Sequence, residues 1–268
     1  MEKKKRKKWP IITLIAVLVI MLLESLFIGY RFSWGPFKKL GDIRMSKLPG
    51  NDPKYNMDKI SKLEDSPLAG ENVLFLGSSV TYGAASLREG IPEYFGARLG
   101  CKVTKEAVSG TTLVDNGKSS YVQRLLNNVD ASVPYKLVVC QLSTNDATKK
   151  LPLGEIRGEG GNYDTSTVTG AIEFIISYAK KTWDCPVVFY TGSRYDSAEY
   201  QAMVDRLFEL QKVWGIGVLD LWTDNAFNAI PDADRALYMN DPIHPTKAGY
   251  RDWWCPEMES QLLQYLQQ

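Results

Sequence analysis

Residues 71–83 read Glu-Asn-Val-Leu-Phe-Leu-Gly-Ser-Ser-Val-Thr-Tyr-Gly, a short apolar run that gives way to small residues. Apolar runs of this length, bounded by turn residues, are typical of strands buried on both faces of a parallel sheet. Open α/β sheets bind their ligands at the carboxyl ends of such strands. Ser78 and Ser79 lie at that end, so either is a candidate nucleophile. Serine and glycine are also ordinary residues of a strand-to-helix turn.

Strand-like and helix-like segments alternate along the chain from residue 71 onward. The predicted strands are 73–77, 102–107, 136–142, 186–191 and 217–221, and the predicted helices are 91–99, 119–128, 168–182, 196–214 and 246–266. This alternation is typical of a parallel sheet with helices on both faces. About 200 residues is the size of one domain. The sequence therefore predicts a single α/β domain over residues 71–268.

The chain has one histidine, His244, within Asp241-Pro242-Ile243-His244-Pro245. Imidazole is the side chain whose unperturbed charge change falls near neutral pH, so a proton shuttle of that kind would have to use His244. A carboxylate three residues earlier is placed to hold one ring nitrogen. We therefore interpret Asp241 and His244 as two members of a serine-hydrolase triad. The alternative is a lone histidine in a proline-rich surface turn.

Four blocks of the sequence resemble those of the SGNH/GDSL hydrolases. The first, Gly-Ser-Ser-Val-Thr-Tyr-Gly at 77–83, is similar to the family pattern Gly-Asp-Ser-x-Thr-x-Gly. The others are 107–112, 143–146 and 241–244, and the resemblance extends over roughly residues 71–265. The four residues that give the family its name occur in the expected order: Ser79, Gly110, Asn145 and His244.

The resemblance implies a three-layer α/β/α sandwich with a flavodoxin-like, five-stranded parallel sheet. It also implies that Ser79 is the nucleophile, His244 the base and Asp241 the residue that orients it. The oxyanion hole would consist of the backbone N–H groups of Ser79 and Gly110 and the side-chain amide of Asn145.

The sequence departs from the family pattern at two positions. Ser78 stands where the family usually has aspartate, and Ser143 where it usually has glycine. Neither position belongs to the triad, so we expect the loop geometry to adjust while the chemistry is kept.

Two further residues are candidate substrate contacts. Tyr163 lies in the glycine-rich segment 151–167, which follows the Asn145 block, and Arg194 follows the fourth predicted strand. Solvated loop residues are the alternative interpretation for both. We predict no metal and no cofactor, because the chain lacks a His-Glu-x-x-His motif and a single histidine does not suit a conventional zinc site.

The N-terminus has the pattern of a membrane anchor. Residues 3–8 are all lysine or arginine, and the 22 residues 9–30 are mainly apolar. A helix of that length spans roughly 33 Å, enough for a hydrocarbon core of about 30 Å. Trp9, Tyr30 and Trp34 are placed like interfacial aromatic residues, and the basic cluster predicts a cytoplasmic N-terminus. A cleaved signal peptide is the alternative, although no clear small-x-small cleavage site follows.

These features predict four regions: a cytoplasmic basic tail (1–8), a transmembrane signal anchor (9–30), a stalk (31–70) and an extracytoplasmic hydrolase domain (71–268). The chain has 32 basic and 31 acidic residues, and the six basic residues and one acidic residue of 1–10 leave the remainder at −4. A mildly acidic domain offers no basic patch for nucleic acid. Cys140 lies inside a predicted strand, where a buried thiol is the ordinary interpretation. The oligomeric state stays open.

The family resemblance and the predicted location together imply a membrane-anchored serine esterase that removes short acyl groups, with acetyl first among them, from carbohydrate outside the cytoplasm. Its substrate would be a small acyl ester or an acylated glycan. One alternative is an O-acyltransferase that uses the same acyl-serine, and another is a non-catalytic surface-binding module with the same fold.

Overall fold

Five parallel strands form one sheet. In the computed structural model, which describes residues 9–32 and 35–267, they are β1 (Asn72–Gly77), β2 (Lys102–Ala107), β3 (Tyr135–Gln141), β4 (Val187–Tyr190) and β5 (Gly217–Leu219). Their order is β2-β1-β3-β4-β5, and each neighbouring pair is parallel. This is the flavodoxin-like order, in which strand order reverses beside β1. The predicted five-stranded parallel sheet is therefore confirmed.

The described helices, in chain order, are α1 (Trp9–Phe32), α2 (Lys38–Ser46), α3 (Ser79–Tyr82), α4 (Ile91–Leu99), α5 (Tyr121–Asn127), α6 (Thr144–Thr148), α7 (Val168–Trp183), α8 (Ala198–Trp214), α9 (Asn225–Asn228), α10 (Asp232–Tyr238), α11 (Lys247–Gly249) and α12 (Cys255–Leu266). A five-residue π-helical segment, Tyr250–Trp254, separates α11 from α12. Three single 3₁₀ turns lie between residues 49 and 59.

Side chains of the sheet alternate between two hydrophobic layers, as the two-residue period of a strand requires. Leu74, Leu76 and Phe189 pack in a layer that includes residues of α5, α7 and α8. Val73 and Phe75 belong to a layer on the other face, which includes residues of α4 and α12. Helices cover both faces of the sheet, so the sandwich has three layers. For the same reason the sequence of each strand is a nearly continuous apolar run.

The segment 49–70 belongs to the hydrolase domain, so the predicted stalk is wrong for these residues. The chain divides into compact units at Leu48, and the second unit begins at Pro49. Met57 and Leu68 are each 2% exposed and join the hydrophobic layer beside α4 and α12. The buried Asn51 side chain donates to the Ala85 carbonyl (2.8 Å) and accepts from the Lys247 backbone N–H (2.9 Å). Composition alone suggested a linker here because its apolar residues are few and irregularly spaced.

The N-terminal unit contains one long apolar helix. Helix α1 includes a stretch, Ile12–Tyr30, with a mean hydropathy of 2.6. By length and composition this stretch is able to cross a membrane, either as an anchor or as a signal sequence. Helix α2 packs against α1, and Arg44 Nε donates to the Tyr30 carbonyl at 3.2 Å. The predicted basic tail (1–8) and Trp34 lie outside the described residues, as does the side chain of Trp9.

Replacing Leu68 tests whether the lead-in segment, residues 49–70, is part of the folded domain. Leu68→Ala should lower the free energy of unfolding by about 2–5 kcal/mol, because it leaves a cavity in a packed layer. Urea denaturation monitored by tryptophan fluorescence measures the change. Glu64→Ala, an exposed position in the same segment, is the control and should change stability by less than about 0.5 kcal/mol. Equal midpoints for the two variants would mean that the segment does not contribute to the core.

Candidate active site

Ser79 lies at the turn where β1 ends and α3 begins. The turn is tight, because a Cβ atom added to Gly77 would lie 1.7 Å from Thr81 Oγ1. Gln141, at the end of the neighbouring strand β3, stabilises the turn by hydrogen bonds. Its Oε1 accepts hydrogen bonds from the backbone N–H groups of Ser78 (2.9 Å) and Thr81 (3.3 Å), and from the hydroxyl of Thr81 (2.9 Å). These contacts fix the direction in which Ser79 points.

His244 contacts Ser79 directly. The Nε2 atom of His244 lies 2.8 Å from Ser79 Oγ, and its Nδ1 lies 2.9 Å and 3.0 Å from the two carboxylate oxygens of Asp241. When Nδ1–H donates to the carboxylate, Nε2 is left to accept the serine proton. The structure thus brings together the three residues that sequence motifs placed in the triad. Their arrangement is that of a nucleophile, a general base and an orienting group.

The loop that carries Asp241 and His244 is fixed by its own backbone. Asp241 Oδ1 also accepts from the backbone N–H groups of Ile243 and His244, both at 3.0 Å. Asn240 N–H donates to the His244 carbonyl (3.0 Å), and an isolated antiparallel bridge joins Met239 to Pro245. The Asp-x-x-His spacing allows the Asp241 carboxylate to accept hydrogen bonds from the backbone of the same turn that carries the His244 imidazole.

Asp241 is the ionised member of this arrangement. Its partial burial alone would raise its pKa, but the hydrogen bond and charge of His244 and the two backbone N–H donors outweigh that effect, and the net pKa lies well below the usual range. Because this pKa is lower than the unfolded value near 3.9, the ionised carboxylate favours folding above that value. The contribution is lost as the pH falls through the folded-state pKa. Throughout the neutral range Asp241 therefore carries the charge that stabilises an imidazolium.

Each predicted oxyanion donor has a backbone conformation or a hydrogen bond that suits the role. The Ser79 N–H is the first of helix α3, and N–H groups in this position have no acceptor within a helix. Gly110 has φ +80°, a left-handed backbone conformation that disfavours residues with a Cβ. Asn145, at the start of α6, donates one Nδ2–H to the Thr111 carbonyl at 2.9 Å. That bond holds the amide in place and leaves its second N–H for a ligand.

Arg124 stabilises the backbone on both sides of this site, at the end of β1 and in the loop after Gly110, and the sequence motifs did not indicate it. Its side chain is almost fully buried, and its Nη2 donates to the Gly77 carbonyl (2.7 Å) and to Thr111 Oγ1 (3.2 Å). Its Nη1 donates to the carbonyl (2.8 Å) and carboxylate (3.0 Å) of Glu106. One guanidinium thus connects the end of β1, the end of β2 and the loop after Gly110. Its position in helix α5, outside the motif blocks, hid this role.

Asp146 has a similar supporting role. It is fully buried, and its two carboxylate oxygens accept from the backbone N–H groups of Leu113 (2.8 Å) and Val114 (3.0 Å). Burial raises its pKa, while these hydrogen bonds act in the opposite direction. The last residue of the third motif block therefore fixes the loop that follows Gly110. Only the spatial proximity of the two blocks reveals this.

Both departures from the family pattern are accommodated locally. Ser78 Oγ lies 3.3 Å from Gln141 Oε1, so its hydroxyl joins the contacts beneath the turn. Ser143 has φ −76° and ψ 119°, an ordinary extended conformation that does not require glycine. Neither serine contacts His244 in the described structure.

Both candidate substrate contacts have protein partners in the described structure. Arg194 donates through its guanidinium to the carbonyls of Trp222 (3.0 Å) and Thr223 (3.0 Å), so it stabilises the loop after β5. Tyr163 packs against Trp214, at the C-terminal end of α8, with their ring centroids 6.0 Å apart. A helix that follows a parallel strand runs back from the carboxyl end of that strand. Trp214, at the end of α8, therefore lies toward the amino-terminal ends of the strands, whereas Ser79 lies at their carboxyl ends.

All four cysteines are free and buried. Burial raises the pKa of Cys101 and of Cys185 to about 11, which keeps both as thiols at neutral pH. Since the thiolate is the reactive form, these residues are poorly suited to act as nucleophiles. Within residues 9–32 and 35–267, no group of three or more His, Cys, Asp and Glu side chains could hold a metal ion.

Asn145→Ala tests the side-chain donor of the oxyanion hole. We expect kcat to fall by about 10²–10³-fold with little change in KM, because the lost hydrogen bond forms mainly in the transition state. Steady-state hydrolysis of an activated acetyl ester gives both constants. Asn145→Asp, which has the same shape but replaces the donor with an acceptor, should be at least as impaired. An active Asn145→Asp variant would remove this amide from the site.

Asp241→Asn tests the orienting carboxylate through the pH profile. We expect kcat/KM to fall by about 10³-fold or more, because the neutral amide no longer selects the productive tautomer. The acid limb of the remaining activity should move to lower pH, since the charge that favours the imidazolium has been removed. An acid limb at an unchanged pH would show that its proton does not belong to this pair.

Comparison with known proteins agrees with this geometry. The sequence pattern of the GDSL-like lipase/acylhydrolase family matches residues 75–251. A solved structure from Lactobacillus plantarum has a TM-score of 0.57 at 18% identity, covering 74% of this chain and 97% of the other. A G-D-S-L family protein from Desulfitobacterium hafniense has a TM-score of 0.53 at 18% identity, covering 73% and 99%. None of the curated protein sequences compared with the chain matches it. The matched pattern covers most of the fold and every candidate catalytic residue, and the chain belongs to the GDSL-like lipase/acylhydrolase family.

Proposed function

We propose that this protein is a membrane-anchored serine esterase that hydrolyses short acyl esters, acetyl esters above all, on carbohydrate outside the cytoplasm. The observation that carries the proposal is the 2.8 Å contact between Ser79 Oγ and His244 Nε2, together with the Asp241 carboxylate on the other ring nitrogen. A serine hydroxyl becomes an effective nucleophile when a base lies within hydrogen-bond reach. Few other roles would require this arrangement at a strand end.

In the proposed reaction, Ser79 Oγ attacks the ester carbonyl while His244 takes its proton. The carbonyl oxygen becomes an oxyanion, which the N–H groups of Ser79 and Gly110 and the amide of Asn145 stabilise. The protonated His244 then gives its proton to the leaving alcohol, and an acyl-serine remains. Water, deprotonated by His244, attacks this intermediate, and the acid is released as the bond to Ser79 Oγ breaks and His244 returns its proton to that oxygen. Asp241 holds the imidazole in the required tautomer and stabilises its charge in both halves of the reaction.

The small size of the recess next to the triad's chain neighbours supports short acyl groups as substrates. Its cavity volume is only about 10 Å³, roughly the space of one water molecule and far below the roughly 300–1,000 Å³ of pockets for drug-sized ligands. Three of its lining residues are the immediate chain neighbours of the nucleophile, the oxyanion amide and the base: Val80, Thr144 and Ile243. The buried rings of Tyr190 and Tyr200 also line it. A long acyl chain would have to displace these packed aromatic residues.

Two further features support a large substrate at the cell surface. The side chains of His244 and Asp241 are 26% and 30% exposed, so the site opens directly to the surface and is accessible to a polymer. The apolar stretch Ile12–Tyr30 would tether the domain to a membrane. The basic residues before it predict that the hydrolase domain lies on the extracytoplasmic side, where acylated polysaccharides are available as substrates.

Ester hydrolysis by the full chain in detergent micelles tests the proposal. We expect p-nitrophenyl acetate to be cleaved with a kcat/KM at least about tenfold above that for the octanoate, because a longer chain does not fit the recess. Ser79→Ala should lower the rate by about 10⁴-fold or more. Ser78→Ala is the matched control, because Ser78 directs its hydroxyl to Gln141 rather than His244, and it should keep activity within about tenfold.

Other outcomes would change the proposal in defined ways. Equal loss of activity in both serine variants would mean that the turn, rather than the Ser79 hydroxyl, is required. Acylation of an added oligosaccharide, with little free acid, would identify a transferase that uses the same acyl-serine. Octanoate cleaved faster than acetate would exclude the short-acyl preference.

A further inference from the structure

Lys149 lies beside the predicted oxyanion-hole amide. It follows Asn145 by four residues, at the C-terminal end of α6, so the two side chains lie on the same side of this helix. Asn145 Nδ2 donates to the Thr111 carbonyl at 2.9 Å, and Lys149 Nζ donates to the preceding carbonyl, that of Gly110, at 3.4 Å. One short helix therefore presents an amide and an ammonium group to two consecutive residues of the same loop.

The loop that Lys149 contacts is next to the nucleophile turn and open to solvent. Val108 N–H donates to the carbonyl of Gly77, two residues before Ser79, at 3.3 Å. Val108 and Gly110 are both exposed, and a Cβ atom built on Gly110 would meet none of the described residues within 4 Å. A substrate that approaches Ser79 across this open loop can therefore reach the Lys149 ammonium.

In the part of the chain that the structure describes, no carboxylate lies within ion-pair distance of the Lys149 ammonium. Asp146, three residues earlier, is buried, and its two oxygens accept from backbone N–H groups. The neighbouring Lys150 is different, because its Nζ forms an ion pair with Glu199 Oε1 at 2.8 Å. A lysine ammonium has three N–H donors, so the single bond to Gly110 leaves two for an anion.

The end of α6 determines which of the two adjacent lysines faces the loop. Lys150 N–H donates to the Ala147 carbonyl and Leu151 N–H to the Asp146 carbonyl, both at 3.0 Å, and Lys150 is left-handed with φ +51°. These are the two bonds and the left-handed residue of a Schellman motif, in which glycine is the usual residue. Because the chain changes direction at Lys150, the side chain of that residue reaches α8 instead. Lys149 is the lysine that stays on the side of the oxyanion amide.

We propose that Lys149 binds an anionic substituent of the substrate, a carboxylate or a phosphate, so that the preferred substrates are acyl esters of acidic glycans. The inference rests on the proposed esterase function and specifies its substrate class. Since the proposed acyl group is short, the anion would lie on the alcohol part of the ester. A lysine ammonium is a compact charge on a flexible stem and suits either anion. The chain beyond its basic N-terminus is net acidic, so Lys149 attracts an anion to a domain that as a whole would repel it.

Acetyl esters that differ only in the charge of the leaving group test the inference. 4-Acetoxybenzoate is compared with 4-acetoxybenzamide, which has the same shape without the charge, and 4-acetoxyphenyl phosphate replaces the carboxylate with a phosphate. The full chain, Lys149→Gln and Lys149→Glu are assayed in non-ionic detergent micelles. Lys150→Gln is the matched control, because this adjacent lysine is exposed and pairs with Glu199. The anionic-to-neutral ratio of kcat/KM is compared between variants, which cancels the intrinsic reactivity of each ester.

Lys149→Gln should lower the anionic-to-neutral ratio by about two- to fivefold, the size expected for one exposed ion pair, and Lys149→Glu should lower it further by repulsion. The change should lie mainly in KM, because the charge is remote from the reacting bond. The difference between the full chain and Lys149→Gln should narrow as salt rises from about 10 mM to about 1 M, since the Debye length falls from about 30 Å to about 3 Å. Lys150→Gln should keep the original ratio.

An equal loss for the anionic and neutral esters would mean that Lys149 only stabilises the Gly110 loop, and it would overturn the inference. An equal fall of the ratio in Lys150→Gln would also overturn it, because the effect would then come from the general charge of this surface. A fall confined to the benzoate or to the phosphate would identify which anion is bound. In each case Ser79-dependent hydrolysis of 4-acetoxybenzamide would uphold the esterase. Absence of Ser79-dependent hydrolysis of all three esters would refute the esterase function and the inference together.

Discussion

The hydrogen bond between Ser79 Oγ and His244 Nε2 joins residues 165 positions apart in the chain, and much of the domain is arranged to hold it. Ser79 is positioned by the end of β1, a central strand that both hydrophobic layers enclose. His244 is positioned by a loop whose continuation, at Lys247, donates its backbone N–H to Asn51. Since Asn51 lies in the segment that precedes β1, the lead-in connects the base side of the site to the rest of the domain. A contact of 2.8 Å between two loops is maintained only because both are fixed by buried partners.

Buried polar groups next to the site contribute more to the geometry of the site than to the stability of the fold. Arg124 is a desolvated cation, and charges of this kind stabilise a fold only when their hydrogen bonds are satisfied. Its guanidinium donates to main-chain and side-chain oxygens at the ends of two strands and in the loop after Gly110. Asp146 fixes the same loop from the other side through two backbone N–H groups. Such preorganised donors need no reorganisation during the reaction, which is where electrostatic catalysis gains most.

The sequence predicted the sheet and the proximity of Ser79, Asp241 and His244 because both leave local patterns. Apolar runs such as 73–77 and the Asp-x-x-His spacing are short-range features, and parallel strands bring their carboxyl ends to one edge whatever the loops between them do. The stalk assignment failed for residues 49–70 because Asn51, Met57 and Leu68 are buried by contacts with distant segments, which no periodicity reveals. Arg124 and Gln141 were missed for the same reason: each looks like an ordinary residue of a helix or a strand. The substrate contacts at Tyr163 and Arg194 rest on position after a motif or strand and stay predictions; in the described structure Tyr163 packs on Trp214 and Arg194 donates to the Trp222 carbonyl.

Gln141 positions the nucleophile without contacting it. Its Oε1 accepts from the backbone N–H groups of Ser78 and Thr81 and from the Thr81 hydroxyl. Because all three donors belong to the turn that carries Ser79, a displacement of this amide would move the turn and lengthen the contact between Ser79 and His244. A change of this kind costs activity even though it removes no reacting group, because the reacting atoms must be held close to their productive geometry. The direction of the nucleophile therefore depends on the end of β3 as well as on the end of β1.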